Sequence, residues 1–319
     1  MKQLDVITFG EAMAMFMANQ PGFLHENKQF TLELAGAETN VAIGLARIGL
    51  RVGWVSKVGN DALGKFIMER LKNENVDIEQ VSIDDHHPTG FQLKSKVVKG
   101  DPEVQYFRKG SAASHLQISD FNAMYFLSAK HLHMTGIPLA ISEQARSYAK
   151  YTLAFMKNNG RTVSFDPNLR PSLWSSKEEM VEQINAVAFR ANYVLPGIAE
   201  GEVLTGFSDP RDIASFYLEK GVELVVIKLG EEGAFYKTTL AEGVVQGFKV
   251  KEVLDTVGAG DGFAVGVISG LLENLSIKDA VIRGNAIGSL AVQSPGDNDG
   301  YPTYIQLHKY IEENLKGVN

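Results

Sequence analysis

The feature that most constrains the fold is a regular alternation of short apolar strands with amphipathic helices. Residues 4–10 form an apolar run that ends in a glycine, which is typical of a buried strand followed by a turn. Residues 39–50 have the apolar spacing of a helix, and residues 52–58 are predicted as the next strand. Strands and helices in turn predict an α/β fold: a doubly wound, mainly parallel sheet flanked by helices.

The same alternation resumes beyond residue 120. The predicted elements there are strands near 131–134, at 162–166, 193–195 and 224–229, and helices at 142–158, at 177–188, from Ala259 and from Ile277.

Two stretches, residues 11–35 and 89–112, depart from this rhythm. Residues 30–34 alternate as a half-exposed strand does, and residues 91–98 lead through Gly100 and Asp101 into a second alternating run at 104–108, which predicts a hairpin. We expect both stretches to form a small β-sheet lid over the ligand-binding edge of a core made of residues 1–10, 36–88 and 113–319.

Charge and composition exclude several functional classes. The 319 residues include 31 basic and 38 acidic residues and no cysteine. The formal charge of −7 argues against nucleic acid or an anionic membrane as a partner, and the lack of cysteine excludes thiol chemistry. The apolar stretch at 6–18 is interrupted by Glu11 and does not have the pattern of a signal peptide, so a cytoplasmic protein is expected.

The most informative segment is 255–266, a turn of small residues that opens a helix. Unpaired backbone N–H groups at a helix start, together with the helix dipole, bind anions. Asp261 in the first turn places a carboxylate beside such an anion, where it can accept a proton from an attacking hydroxyl.

This segment resembles the DTxGAGD signature of the ribokinase-like (PfkB) family of sugar kinases. The resemblance implies that ATP and Mg²⁺ are bound and that Asp261 is the catalytic base. It also implies that the backbone amides of Gly258, Ala259 and Gly260 stabilise the transferred phosphoryl group.

Residues 35–49 are similar to the first signature of the same family, although Ala35 stands where glycine is usual. In the family this loop contacts sugar hydroxyls, so the resemblance makes Gly36 and Asn40 candidate substrate ligands. The alternative is that Asn40 only caps the following helix.

Two further segments resemble the family's nucleotide and metal loops. Residues 225–234 correspond to the nucleotide loop, which makes Lys228, Gly230 and Gly233 candidate ATP contacts together with Gly258 and Gly260. Residues 196–206 resemble the NxxE segment, in which Glu200 would hold hydrated Mg²⁺, although Gly197 replaces the asparagine. Alternatively, Glu200 is a solvated helix residue.

A monovalent cation such as K⁺ activates many members of the family. The resemblance suggests Asp255 and residues 294–296 as a site for it.

Two arginines suggest that the substrate is anionic. Tyr106 and Arg108 share one face of a strand because they are two residues apart, and a guanidinium suits a carboxylate. Arg170 follows the carboxyl end of a predicted strand, where ligands bind in open α/β sheets. The alternative is that Arg108 is only an exposed charge that keeps the edge strand of the lid soluble.

Both stretches resemble 2-keto-3-deoxygluconate kinases, through their YxR and DPNxR patterns. The resemblance implies ATP-dependent phosphorylation of 2-keto-3-deoxygluconate to the 6-phosphate. It assigns the sugar acid to Gly36, Asn40, Phe91, Tyr106, Arg108, Arg170 and Asp297, and the nucleotide also to Asn168 and Arg170.

Two other functions stay open at this level. One is a neutral-sugar kinase of the fructokinase or ribokinase type, in which Arg108 serves only the lid. The other is a catalytically silent sugar or nucleotide sensor. Whichever sugar the protein would phosphorylate, its exposed lid strands predict a homo-oligomer that pairs through the lid.

Overall fold

The computed structural model of the protein describes residues 3–97 and 102–315. The strands in this part of the chain are β1 (Leu4–Phe9), β2 (Met13–Pro21), β3 (Phe30–Ala35), β4 (Val52–Gly59), β5 (Val81–Asp84), β6 (Phe91–Lys96), β7 (Val104–Phe107), β8 (Ala129–Thr135), β9 (Thr162–Asp166), β10 (Tyr193–Val194), β11 (Leu224–Lys228), β12 (Ala234–Lys237) and β13 (Glu242–Val245).

The helices follow the same chain order. They are α1 (Ala37–Arg47), α2 (Ala62–Asn73), α3 (Ala123–Leu127), α4 (Ile137–Ile141), α5 (Glu143–Asn158), α6 (Lys177–Ala188), α7 (Ile198–Thr205), α8 (Pro210–Leu218), α9 (Ala259–Leu272), α10 (Ile277–Ala291) and α11 (Tyr304–Leu315).

The larger sheet has the strand order β13-β12-β11-β10-β9-β8-β1-β4-β5. Every pair from β11 to β5 is parallel, and only the β11–β12 and β12–β13 pairs are antiparallel. The predicted doubly wound, mainly parallel sheet is therefore confirmed.

Helices cover both faces of this sheet, because its strands alternate their side chains between two hydrophobic clusters. In β1, Ile7 and Phe9 pack in a cluster with α5, α6 and α8, whereas Val6 packs in a second cluster with α1, α2, α9 and α10. A strand buried on both faces has this pattern of nearly continuous apolar residues.

The smaller sheet has the strand order β3-β2-β6-β7. Its strands all come from the stretches 11–35 and 89–112, and β6 and β7 pair antiparallel as the predicted hairpin requires. The predicted turn residues Gly100 and Asp101 lie outside the described residues. The assignment of these stretches to a lid that is a unit of its own stays a prediction.

Several elements were not predicted from the sequence. Strands β5 and β13 are the two edges of the large sheet and β12 lies next to β13, and such short, partly exposed strands have little apolar alternation. Strand β2 lies in the stretch 11–35, which was predicted to belong to the small sheet, but the bounds of this strand were not predicted. Helix α1 begins at Ala37, before the predicted start at residue 39, because Gly36 is its N-cap.

Small residues allow helix α9 to pack closely on its neighbours. A Cβ atom added to Gly266 would lie 2.4 Å from the backbone nitrogen of Gly284, and one added to Gly270 would lie 2.7 Å from Cα of Ala280. Both contacts are with α10, so this helix as well as the sheet holds α9 in place.

No helix in residues 3–97 or 102–315 combines the length and the apolar character that a bilayer span requires.

Candidate active site

A cavity of about 360 Å³ lies between the small sheet and the carboxyl ends of the parallel strands β1, β8, β9 and β11. Ligands of open α/β sheets bind at this edge. The residues that line it are Glu11, Met13, Ala35, Gly36, Ala37, Asn40, Gln92, Lys94, Val104, Tyr106, Arg108, Ile137, Asp166, Asn168, Arg170, Glu200, Lys228, Thr256, Val257, Gly258, Gly260, Asp261 and Asp297.

Most of the residues that the sequence singled out meet in this cavity. They are Gly36, Asn40, Tyr106, Arg108, Asn168, Arg170, Glu200, Lys228, Gly258, Gly260, Asp261 and Asp297. The others do not line it, namely Phe91, Gly230, Gly233 and Ala259, and Asp255 with residues 294–296, which were expected to bind a monovalent cation.

The start of helix α9 forms one wall of the cavity. Gly258 is its N-cap and has a left-handed backbone with φ of +79°, which favours glycine. A Cβ atom there would lie 1.7 Å from the carbonyl oxygen of Asp297, so the close approach of the two loops also requires glycine. The N–H groups of the first turn have no partner within the helix and can bind an anion in the cavity.

Two asparagines hold the carboxyl group of Asp261. Asn40 Nδ2 donates to Asp261 Oδ2 at 2.9 Å, and Asn168 Nδ2 lies 3.4 Å from Oδ1. The pKa of Asp261 is raised to about 7, mainly by burial and also by Asp166, although Asn40, Arg170 and Lys228 oppose the shift. A carboxyl group with a pKa near neutrality suits a general base.

Asn40 does not cap helix α1, so the alternative that this residue serves only as a helix cap is wrong. It lies in the first turn, after the N-cap Gly36. Its amide nitrogen donates to Asp261 and its oxygen accepts from Asn298 Nδ2 at 2.9 Å. The residue therefore fixes the orientation of the Asp261 carboxyl group.

Lys228 places a cation beside the anion-binding turn. Its Nζ lies 2.6 Å from Asp166 Oδ2 and 3.5 Å from the position of a Cβ atom built on Gly260. Burial lowers the pKa of Lys228, but Asp166 and Glu200 outweigh this effect, and the pKa is raised above its ordinary value. The ammonium group therefore stays charged at neutral pH.

Glu200 is both a helix cap and a cavity residue. Its Oε2 accepts from the N–H of Gly197 and its Oε1 from the N–H of Leu169, both at 2.8 Å. Each oxygen retains a lone pair, since a carboxylate oxygen accepts more than one bond.

The acidic residues of the cavity fit one mode of magnesium binding. No three acidic or histidine side chains among the described residues form a group that could hold a metal. Mg²⁺ usually keeps several waters and is bound by one or two carboxylates plus substrate phosphates. Glu200 and Asp166 fit that arrangement as the residues that would hold it.

Arg108 reaches the cavity from the small sheet, but it is already paired. Its Nε donates to Glu11 Oε2 at 2.7 Å, and its Nη2 also pairs with this oxygen. Glu11 is fully buried and accepts a further hydrogen bond from Ser111. The alternative of an exposed lid-edge arginine is therefore wrong, since the Arg108 side chain is only 9% exposed. Its role in binding the substrate carboxylate stays a prediction, and Glu11 is a protein carboxylate that already pairs with it.

The structure corrects the placement of Phe91. Its ring stacks on Phe107 at a centroid distance of 4.6 Å and contacts Phe16 edge-on, on the face of the small sheet that points away from the cavity. The next residue, Gln92, pairs with Tyr106 across β6 and β7 and lines the cavity with it. A shift of one residue along a strand reverses the face of the side chain.

Gly230 and Gly233 lie at the turn between β11 and β12, outside the cavity lining. Both have positive φ angles, +64° and +102°. A Cβ atom at Gly233 would lie 2.0 Å from the carbonyl oxygen of Val245, so local packing accounts for this glycine. Ala259 also lies outside the lining, although it is the first residue of α9.

Sequence reasoning missed Glu11, Gln92 and Lys94. Lys94 is buried, with Nζ 2.5 Å from Asp255 Oδ2 and 3.6 Å from Asp297 Oδ1. Asp255, expected to help bind a monovalent cation, therefore has a lysine as its cation. The two-residue spacing of Gln92 and Lys94 was a signal for a shared face, but only the strand register showed which face meets the cavity.

A doubly wound sheet, a helix start that can bind an anion and a buried carboxyl group beside it are the features expected of a phosphoryl-transfer enzyme. The family model for pfkB family carbohydrate kinases matches residues 3–304. The chain belongs to this family.

A curated relative is the 2-dehydro-3-deoxygluconokinase of Bacillus subtilis (strain 168). It is 56% identical over 310 residues, which cover 97% of this chain and 96% of the relative. The crystal structure of a PfkB protein from Polaromonas sp. JS666 is 50% identical with a TM-score of 0.89, and covers 96% of this chain and 99% of its own.

Two more distant crystal structures contain ligands. An Escherichia coli protein described as a candidate Ribokinase II, in complex with ATP and Mg²⁺, is 26% identical with a TM-score of 0.89 and covers 97% of this chain and 99% of its own. A fructokinase double mutant from Vibrio cholerae, with fructose, ADP and potassium, is 28% identical with a TM-score of 0.84. The match covers 98% of this chain and 99% of the fructokinase chain.

The raised pKa of Asp261 predicts a pH-dependent cost in stability. The pKa rises from 3.8 to about 7 on folding, so the folded state retains a proton that the unfolded state loses. The stability of the wild type should therefore fall between about pH 4 and pH 7 on account of this group, and then level off. Asp261→Asn removes this dependence, so the Tm of the variant minus that of the wild type should increase over this range. Calorimetry at several pH values would measure it, and a constant Tm difference would contradict the raised pKa.

Proposed function

We propose that this protein transfers the γ-phosphoryl group of ATP to the terminal hydroxyl of 2-dehydro-3-deoxygluconate, also called 2-keto-3-deoxygluconate. The observation that carries the proposal is the Asp261 carboxyl group, buried at the helix start that binds anions, in a cavity that also contains Arg108. The 56% identity to a 2-dehydro-3-deoxygluconokinase over nearly the whole chain supports this substrate.

In the proposed reaction Asp261 accepts the proton of the attacking hydroxyl. The hydroxyl oxygen forms a bond to the γ-phosphorus, the bond from this phosphorus to the bridging oxygen breaks, and ADP leaves with the electron pair. Asn40 and Asn168 orient the carboxyl group for this step. The reaction is mainly one of positioning and charge stabilisation.

The phosphoryl group would meet the N–H groups at Gly258 and Gly260 and the ammonium group of Lys228. Negative charge develops on its oxygens, and fixed donors in a water-poor cavity stabilise that charge without reorganising. Arg170 and Asn168 are proposed to contact the nucleotide phosphates. Magnesium held near Glu200, when bound, supplies charge neutralisation for the phosphates.

The sugar acid is proposed to lie against the small sheet. Tyr106 and Gln92 face the cavity there, and Arg108 would bind the carboxylate. Glu11 holds Nε and Nη2 of Arg108, which orients the guanidinium and leaves Nη1 for the substrate among the described contacts. Gly36 and Asp297 also line the cavity and are proposed substrate contacts.

One observation favours the second candidate, a neutral-sugar kinase. The Glu11 carboxylate already neutralises Arg108, so the sugar end of the cavity has less positive charge than two free arginines would give it. A substrate without a carboxylate would leave this pair undisturbed.

We also propose that the chain forms a homodimer through the small sheet, that its partners are otherwise small molecules, and that it acts in the cytoplasm. The sheet face that points away from the cavity includes Phe16, Leu93 and Phe91, with Phe107 46% exposed. A second copy of the same face would cover these apolar side chains.

The base assignment predicts the effect of Asp261→Asn on turnover. The variant keeps the shape of the side chain but cannot accept the proton, so kcat should fall by about 10³-fold while ATP binding is retained. Asp279→Asn is the matched control, because Asp279 holds the same position in the first turn of α10 but is exposed. A coupled ADP-release assay measures kcat, and turnover close to that of the wild type in Asp261→Asn would contradict the assignment.

The carboxylate role of Arg108 predicts a change in specificity. The wild type should prefer 2-keto-3-deoxygluconate to gluconate, fructose and ribose. Arg108→Lys keeps the charge but loses the planar guanidinium, so kcat/KM for the sugar acid should fall about tenfold, with smaller changes for neutral sugars. Arg51→Lys is the control, since Arg51 pairs with Asp5 outside the cavity. A wild-type preference for fructose or ribose would favour the second candidate.

A dimer that forms through the small sheet predicts that Phe107 affects the oligomeric state and that Phe207 does not. Phe107→Asp should shift the protein from dimer to monomer, because it buries a charge in the proposed interface. Phe207→Asp is the control, since Phe207 is 45% exposed but lies outside the small sheet. Light scattering after size-exclusion chromatography measures the mass. A monomeric wild type, or a dimer that survives Phe107→Asp, would contradict the proposal.

A further inference from the structure

Lys94 is a buried cation that the proposed reaction does not use. It lies on β6 of the small sheet, and its side chain is only 3% exposed. Its Nζ is 2.5 Å from Asp255 Oδ2 and 3.6 Å from Asp297 Oδ1. Both acids lie on loops of the core, so this lysine joins the small sheet to these loops.

Asp255 carries the contact into the backbone before helix α9. While Oδ2 pairs with Lys94, Oδ1 accepts a hydrogen bond from the N–H of Val257 at 3.0 Å. Val257 is followed directly by Gly258, the N-cap of α9. The ammonium group of Lys94 is therefore two contacts away from the turn that is proposed to bind the phosphoryl group.

Asp297 makes a second connection to the same turn. Its carbonyl oxygen packs against Gly258, where a Cβ atom would lie 1.7 Å away. The next residue, Asn298, donates to Asn40, which in turn donates to Asp261. The loop that Lys94 contacts through Asp297 thus also supports the carboxyl group of the proposed base.

The three charges stabilise one another only when they are together. A buried ammonium group without a counter-charge is costly, and so are two neighbouring buried carboxylates without a cation. The pKa of Asp297 is raised to about 6, mainly by burial and also by Asp255, although Lys94 opposes the shift. Separation of the small sheet from the core would leave both acids without this cation.

We propose that Lys94 is a positioning residue whose ammonium group fastens the small sheet to the Asp255 and Asp297 loops and thereby holds the first turn of α9 in its reactive arrangement. This inference rests on the proposed phosphoryl transfer at Asp261. According to this proposal, the phosphoryl site is complete only when the small sheet, which carries the proposed sugar contacts, is docked on the core.

Hydrogen–deuterium exchange without ligands tests the fastening independently of any substrate. In Lys94→Met, peptides from β6, β7 and residues 253–258 should exchange faster than in the wild type. Lys94→Arg, which retains the charge, should restore much of the protection. Lys96→Met is the matched control, because Lys96 is an exposed lysine two residues along the same strand, and its exchange should equal that of the wild type.

Kinetics then test the positioning role, with whichever sugar the wild type phosphorylates best. Misplacement of the turn should lower kcat of Lys94→Met by about a hundredfold, with a smaller loss in Lys94→Arg and none in Lys96→Met. Faster exchange with an unchanged kcat would reduce Lys94 to a structural residue and overturn the proposal. A lower kcat with unchanged exchange would mean that Lys94 acts directly on the substrate, which also overturns it.

A combined variant keeps the test decisive if Lys94→Met does not fold. Lys94→Met with Asp255→Asn removes the lysine and one of its two acids, and wild-type exchange and kcat in this variant would overturn the proposal. If the wild type phosphorylated no sugar, the proposed function would fail, whereas the exchange experiment would still decide whether Lys94 fastens the two sheets.

Discussion

The first turn of helix α9 is the constraint around which the site is arranged. Its unpaired N–H groups attract negative charge, yet the same turn carries the buried carboxyl group of Asp261. Burial makes the ionised form costly, and this cost raises the pKa of Asp261 to about 7. Asn40 and Lys228 then limit the cost by hydrogen bonding and charge. A carboxyl group that can both hold and release a proton near neutrality results from this balance.

Two buried ion pairs involve the lid stretches: the Glu11–Arg108 pair lies within the stretches 11–35 and 89–112, and the Lys94–Asp255 pair connects the small sheet to the core. Glu11 binds Arg108 at one end of the cavity, and Asp255 binds Lys94 near the start of α9. Each pair is largely buried, so each partner depends on the other for its stability. The surface that is proposed to recognise the sugar is thus joined electrostatically to the loops that are proposed to handle the phosphoryl group.

The sequence predicted the parallel sheet and most of the cavity residues, because both depend on local patterns. Buried strands such as β11 have nearly uninterrupted apolar runs, and the small residues before Asp261 indicate a helix start that can bind an anion. Edge strands such as β5 have no such pattern and were missed. Asn40 was placed near the site correctly, but its two side-chain hydrogen bonds involve residues more than 200 positions away, which no local pattern reveals.

By itself, the sequence determined the fold class, the family signatures and the identity of the carboxyl group at the helix start, since these follow from residue type and spacing. Only the tertiary structure decided that Gln92 rather than Phe91 faces the cavity, because the facing side depends on the register between β6 and β7. It also decided that Glu11 neutralises Arg108 and that Lys94 pairs with Asp255. Such pairs form between segments that are distant in the sequence, and their geometry exists only after these segments have packed together.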